Sequence, residues 1–139
     1  MNISMLIGGK DTAAAEGRTF ERRDPFTGEV ATVAPAASAE DARAAARAAG
    51  AAFPAWAATA PAARRKLLLK AADEMDAMTP EIIATAIAET GATGPWIGFN
   101  CMLAANILRE AASMTTMITG EVIPANKPGT LAMAQRKPL

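Results

Sequence analysis

Histidine is absent from this chain, and cysteine occurs once, at Cys101. The first absence removes the commonest general base and the commonest metal ligand. The second rules out an intrachain disulfide and suits a reduced, cytoplasmic setting. A charge excess is missing too, since 14 Lys and Arg balance 14 Asp and Glu. Nucleic acid and anionic membrane partners require a basic surplus, so neither is expected. No apolar run reaches the ~18–20 residues that span a bilayer. Met1-Asn2-Ile3-Ser4 lacks the basic and apolar segments of a signal peptide. Aromatics make up only 4% of the 139 residues. The hydrophobic share is 51%, but alanine dominates it. Alanine buries a single methyl, whereas a large side chain contributes ~1.5–3 kcal/mol when buried. The composition therefore predicts a thin core of closely packed helices that complete their burial against something else.

The first stretch reads as strands and turns. Met5-Leu6-Ile7 is short and apolar, and Gly8-Gly9 is a turn signal. Thr19-Phe20-Glu21-Arg22 has the character of an edge strand, Asp24-Pro25-Phe26-Thr27-Gly28 of a turn, and Val30-Ala31-Thr32-Val33 of a second strand. A small antiparallel arrangement is expected over residues 4–34.

Four helices are expected over 38–118. The first begins at Ser38, with Asp41 three residues on in a capping-box pattern. Its dry side is Ala45, Ala48, Ala49 and Ala52, its wet side Arg43 and Arg47, and Pro54 should kink or end it. The second starts near Pro61, with Leu68, Ala71, Ala72, Met75 and Met78 on one face. Lys70 and Glu74 stand at ion-pair spacing. Thr79-Pro80-Glu81 combines a cap, a first-turn proline and an acid at the positive dipole end, and so predicts a third helix start. Ile82, Ile83, Ala86 and Ile87 are its expected buried side, and Gly91 its end. The fourth runs from Pro95 to about Met117. Two short strands follow, Glu121-Val122-Ile123-Pro124 and residues 130–136, around the turn cluster Asn126-Lys127-Pro128-Gly129.

Several short motifs appear in an order that resembles the aldehyde dehydrogenase superfamily. They are Ile7-Gly8-Gly9, Asp24-Pro25-Phe26-Thr27-Gly28-Glu29-Val30, Ala51-Ala52-Phe53-Pro54-Ala55-Trp56, Arg64-Arg65-Lys66-Leu67-Leu68, Glu89-Thr90-Gly91 and Gly120-Glu121-Val122-Ile123-Pro124. Residues 89–100, from Glu89-Thr90-Gly91 to Phe99-Asn100, are most similar to the branch that oxidises aromatic aldehydes, the bacterial salicylaldehyde and vanillin dehydrogenases. The resemblance implies an α/β fold. Residues 1–119 would form the N-terminal part of a dinucleotide-binding domain. Residues 120–139 would begin a bridging β segment that builds a homodimer or tetramer, and the catalytic domain would lie outside the chain. It implies NAD or NADP as cofactor and an aromatic aldehyde as substrate in the full-length parent.

By the same resemblance, the chemistry needs a cysteine thiolate to form a thiohemiacetal, a nicotinamide to take the hydride, a carboxylate to activate water and an amide to hold the oxyanion. None of the matching motifs occurs here, and the Pro-Trp-Asn asparagine would follow shortly after Leu139. No G-x-G-x-x-G is present. No catalytic, cofactor-binding or metal residue is therefore assigned, and a segment of residues 1–139 alone is expected to be inactive and to expose apolar surface. Cys101 reads as a small buried helix residue, since nothing around it resembles the family's cysteine motif. Glu81 and Glu89 are two helical turns apart and read as terminal or solvated charges, and Arg64-Arg65-Lys66 as a solvated face.

One stripe on the fourth helix stands out. Trp96, Phe99, Asn100, Leu103 and Ile107 recur at spacings of three and four. They form either plain core or a substrate wall. The corresponding family helix lines the aldehyde entry tunnel, which makes Trp96, Phe99, Asn100 and Leu103 the tunnel candidates. Asn100 is polar in that stripe, and a buried amide would need partners. The alternative to an enzyme segment is a self-contained helical interaction module, whose apolar faces would close on one another.

Overall fold

A computed structural model of the chain describes residues 1–138; Leu139, the end of the expected β segment, lies outside the described residues. Strands β1 (Met5–Ile7) and β2 (Lys10–Thr12) form a hairpin whose two-residue loop is Gly8-Gly9, both at positive φ. That is the turn geometry whose twist matches paired strands. Strands β3 (Thr19–Arg23) and β4 (Val30–Pro35) make a second antiparallel pair, with a register shift between Arg22 and Arg23. Strands β5 (Glu121–Ile123) and β6 (Ala132–Ala134) make a third. Residues 4–34 thus hold two separate pairs rather than one sheet.

Three helices lie between, not four. Helix α1 (Ala39–Ala57) opens on the expected capping box. The Ser38 hydroxyl accepts from the Asp41 N–H at 3.2 Å, and the Ser38 N–H donates to the Asp41 carboxylate at 2.7 Å. The same carboxylate accepts the Ala15 N–H at 3.2 Å, which pins the helix start to the preceding loop. Pro54 neither ends nor interrupts α1, which runs three residues further. No α1 residue is buried; its alanines Ala45, Ala48, Ala49 and Ala52 face the β1–β2 turn across an open groove of about 470 Å³.

Helix α2 (Pro61–Thr90) runs without a break through Thr79-Pro80, where a new helix start is expected from sequence. Two physical reasons account for this. Pro80 is on an exposed face, so the Asp76 carbonyl that loses its donor is open to water. The contact line Leu68, Ala72, Met75, Thr79, Ile82 and Ala86 also keeps its phase across the proline, and no capping geometry is needed. Thr79 instead donates its hydroxyl back to the Met75 carbonyl at 3.1 Å. Ala71, Met78 and Ile87, expected on the buried side, are exposed. Gly91 ends the helix in the left-handed conformation at φ 70°, as expected.

Helix α3 (Gly94–Ser113) folds back along α2 and passes into a short 3-10 turn, Met114–Thr116. Its packed face consists of Gly94, Gly98, Ile97, Cys101, Ala105 and Ala112, with Ala105 and Ala112 at 0% exposure. Ile83 and Ile87 of α2 lie against the two glycines. Farther along, Arg109 bridges Asp73 at 3.0 Å and Asp76 at 2.6 Å. Lys70 and Glu74 form no ion pair among the described residues. Apart from Ile97 the buried set is small in side chain, as the composition predicts.

Two outcomes follow from this packing. A Cβ at Gly98 meets Ile83 at an ordinary 3.6 Å, so Gly98→Ala should be neutral or stabilising by up to ~1 kcal/mol through backbone entropy. Ala105→Leu has no room and should cost ~1–3 kcal/mol through overpacking. Paired thermal melts of the two variants check the contrast. The capping contacts of Asp41, led by the Ser38 N–H and then the Ser38 hydroxyl, hold its carboxyl below its ordinary value of 3.8. A depressed carboxyl stabilises the fold above its unfolded value, and that contribution disappears as pH falls through the folded one. Helicity should therefore decline in acid below about pH 3.8, and Asp41→Asn should flatten that part of the circular-dichroism titration.

Candidate functional site

The outward face of α3 follows from its inward one. The small residues of the seam occupy one side of the helix, so the bulky apolar residues stand on the other. Trp96 is 60% exposed, and Phe99, Leu103 and Ile107 are exposed with it. Within residues 1–138 nothing packs over this stripe enough to bury it. Trp96 and Phe99, three residues apart, stack with ring centroids 5.9 Å apart and planes at 26°. Such an offset pair is itself favourable, and it presents a flat apolar platform. Asn100 stands one turn from Trp96 and donates its amide to the Trp96 carbonyl at 2.7 Å. It is exposed rather than buried, so its solitary polarity carries no burial penalty. Leu103 extends the face by another turn.

The other singled-out residues fall elsewhere. Cys101 is 4% exposed, in the seam. Glu89 pairs with Arg22 of β3 at 3.0 Å and ties that hairpin to the end of α2, while Glu81 lines an open groove with Met78, Ile82 and Thr85. Arg65 and Lys66 are on a solvated face as expected, but Arg64 is not. Its guanidinium lies 5.3 Å from the Trp56 ring centroid and donates to the Trp56 carbonyl at 3.4 Å and the Thr59 carbonyl at 3.2 Å. It thus sits at the C-terminal end of α1, where carbonyls without helical donors attract a cation. Its position at the fourth residue of α2, just after a short inter-helix loop, was the available sequence signal.

No cluster of three or more potential metal-ligating side chains occurs among the described residues. Nor do the glycines fit a dinucleotide. Gly8-Gly9 joins strand to strand and faces Ala48, whereas a phosphate cradle needs a strand-to-helix turn aimed at the helix start. What the α3 face can do is hold a flat apolar group; it holds no acid, base or accessible nucleophile of its own.

The profile of the aldehyde dehydrogenase family matches residues 12–139. A vanillin dehydrogenase of Pseudomonas fluorescens is 56% identical over 138 residues, covering 99% of this chain and 28% of that protein. A salicylaldehyde dehydrogenase of Pseudomonas putida is 42% identical over the full 139 residues, 29% of its length. The crystal structure of the salicylaldehyde dehydrogenase from Pseudomonas putida G7, complexed with salicylaldehyde, superposes with a TM-score of 0.95 at 43% identity, over 99% of this chain and 28% of that one. The chain belongs to the aldehyde dehydrogenase family and spans little more than a quarter of the length of these relatives.

The burial of Cys101 has a direct readout. A thiol shut into a helix seam should label only when the protein opens. With native protein and an alkylating reagent, peptide mapping should find Cys101 unmodified until denaturant is added. Rapid native labelling would contradict the seam packing.

Proposed function

We propose that residues 1–139 form the N-terminal segment of an NAD(P)-dependent aromatic aldehyde dehydrogenase that converts an aryl aldehyde of the salicylaldehyde type to its carboxylate. The observation that carries this is the exposed Trp96–Phe99 platform on α3. It lies in a segment whose relatives, matched over 99–100% of this chain, are vanillin and salicylaldehyde dehydrogenases. In this role α3 is one wall of the aldehyde's approach. Trp96 and Phe99 take up the aryl ring, and with Leu103 they keep water from its faces.

The nucleophilic cysteine and the dinucleotide cradle belong to other parts of the full-length enzyme, since Cys101 is closed off and no glycine turn here suits a pyrophosphate. The bound nicotinamide supplies a hydride acceptor; the residues of this segment supply the aryl-binding surface. Residues 1–119 belong on this view to the dinucleotide-binding domain, and 120–139 begin the bridging segment. The β5–β6 pair, with Val122, Leu131 and Met133 exposed, is the surface offered for subunit contact in a dimer or tetramer. No described helix is long and apolar enough to cross a membrane, which is compatible with a cytoplasmic enzyme. A self-contained helical module is the weaker account, because its large apolar faces would have to close on one another, and those of α3 stay open.

The test uses the full-length gene product. Benzaldehydes with NAD or NADP should yield the acid and reduced cofactor, while residues 1–139 expressed alone should yield neither. Trp96→Ala should lower kcat/KM for benzaldehydes about tenfold, in keeping with the loss of an aromatic contact and its buried area. Short aliphatic aldehydes should be nearly unaffected. An unchanged aryl-to-aliphatic ratio would sink the assignment of the platform.

A further inference from the structure

Asn100 has a feature that the aromatic platform alone does not explain. From residue 94 to residue 108 the chain holds no charged side chain, and in the stripe Trp96, Phe99, Asn100, Leu103 and Ile107 only Asn100 is polar. Its orientation is fixed by chemistry. A main-chain carbonyl can only accept, so the atom set 2.7 Å from the Trp96 oxygen must be the amide nitrogen Nδ2. The other end, Oδ1, is therefore the free end of the group, and it has no hydrogen-bond partner among the described residues. Asn100 thus offers an acceptor, tethered through its own nitrogen, on the same face as the stacked rings. A tethered acceptor has less conformational freedom to lose on binding than a free one.

We propose that Asn100 is a specificity-determining residue, whose Oδ1 accepts a hydrogen bond from a ring hydroxyl of an aryl aldehyde held against Trp96 and Phe99. This rests on α3 being an aryl-aldehyde wall. The acceptor discriminates among meta and para substituents and adds little for salicylaldehyde, which the stacked rings hold without it. An ortho hydroxyl closes a six-membered hydrogen-bonded ring onto its own aldehyde oxygen and has its proton already engaged. It also favours a hydroxyl over a methoxy group at the same position, since the ether has no proton to give. Loss of the ligand's donor would leave Oδ1 covered and unpaired, which is how a polar site rejects an analogue lacking its partner.

The experiment compares kcat/KM of the full-length enzyme for 4-hydroxybenzaldehyde, 3-hydroxybenzaldehyde, 4-methoxybenzaldehyde, salicylaldehyde and benzaldehyde, at a pH where the phenols keep their protons. The wild-type enzyme should prefer the 4-hydroxy compound over the 4-methoxy one by about tenfold, the scale of a single neutral hydrogen bond. Asn100→Leu should bring that ratio close to one. Asn106→Leu, an amide two turns beyond Phe99, should leave every ratio as in the wild type. A melt of each variant confirms folding, and the wild-type substrate comparison needs no variant at all. A wild-type hydroxy-to-methoxy ratio near one, or a ratio that survives in Asn100→Leu, overturns the proposal while the aryl-wall reading stands. Failure of the wild-type enzyme to oxidise any benzaldehyde overturns both.

Discussion

The molecule depends on how closely α2 and α3 can approach. Along α3 the residues Gly94, Gly98, Cys101, Ala105 and Ala112 recur at spacings of four, three, four and seven. That alternation keeps one line of a helix against its neighbour. None of these side chains is long enough to hold the backbones apart, and Ile83 and Ile87 close over the glycines from the other helix. The consequence for the far side is immediate. Ile97 is the one large side chain that α3 buries among the described residues, and Trp96, Phe99, Leu103 and Ile107 are carried on the surface opposite the seam. Tight packing and the open aromatic face are two results of one placement.

Features governed by a few neighbouring residues were legible in the sequence. Ser38 and Asp41 form their capping box, Gly8-Gly9 makes a two-residue turn, and Gly91 stops α2 in the left-handed region. Each depends on local backbone chemistry that no distant contact needs to complete. Thr79-Pro80-Glu81 carries equally good local signals for a helix start, yet α2 passes through it. There the long seam with α3 runs on both sides of the proline, and a break would misalign one half of it. Met78 reads as buried for a related reason: hydrophobicity picks out large side chains, while the buried residues here are mostly small; Ile87 touches Gly94 yet stays partly open, and Ala71 is exposed beside buried Ala72.

The same limitation explains the candidate site. The positions of Trp96, Phe99, Asn100 and Leu103 on one stripe were readable from spacing alone. Whether that stripe is covered within residues 1–138 was not, because the competing face of α3 carries mostly Gly, Ala and Cys, with Ile97 its one large buried side chain. The hydrogen bond of Asn100 to Trp96 could have been anticipated, since short polar side chains in helices often bond a carbonyl one turn back. Arg64 was harder to place. Its partners are carbonyls at the end of a different helix, and a cluster of three cations in sequence hides the one that turns inward.

The position of the aromatic platform is also fixed from its N-terminal end. Helix α2 is 30 residues long, about 45 Å at 1.5 Å per residue. Arg64 near its start holds the end of α1, and Glu89 near its end holds Arg22 of β3. The Glu89 end is also where the chain reverses into α3, through Gly91. At that glycine φ is +70°, and a Cβ would lie 2.6 Å from Phe26 and 2.9 Å from Pro25. The β3–β4 turn therefore sits directly against the reversal, and only a residue without a side chain fits both the backbone conformation and the contact. Trp96 lies five residues beyond. A displacement of the reversal would rotate the first turns of α3 and move Gly94 and Gly98 off Ile87 and Ile83. The Trp96–Phe99 rings would move by the same rotation. The turn Asp24-Pro25-Phe26-Thr27-Gly28 thus bears on where the stacked rings stand although it is not part of the aromatic stripe: it is the rest against which the helix that carries them is set.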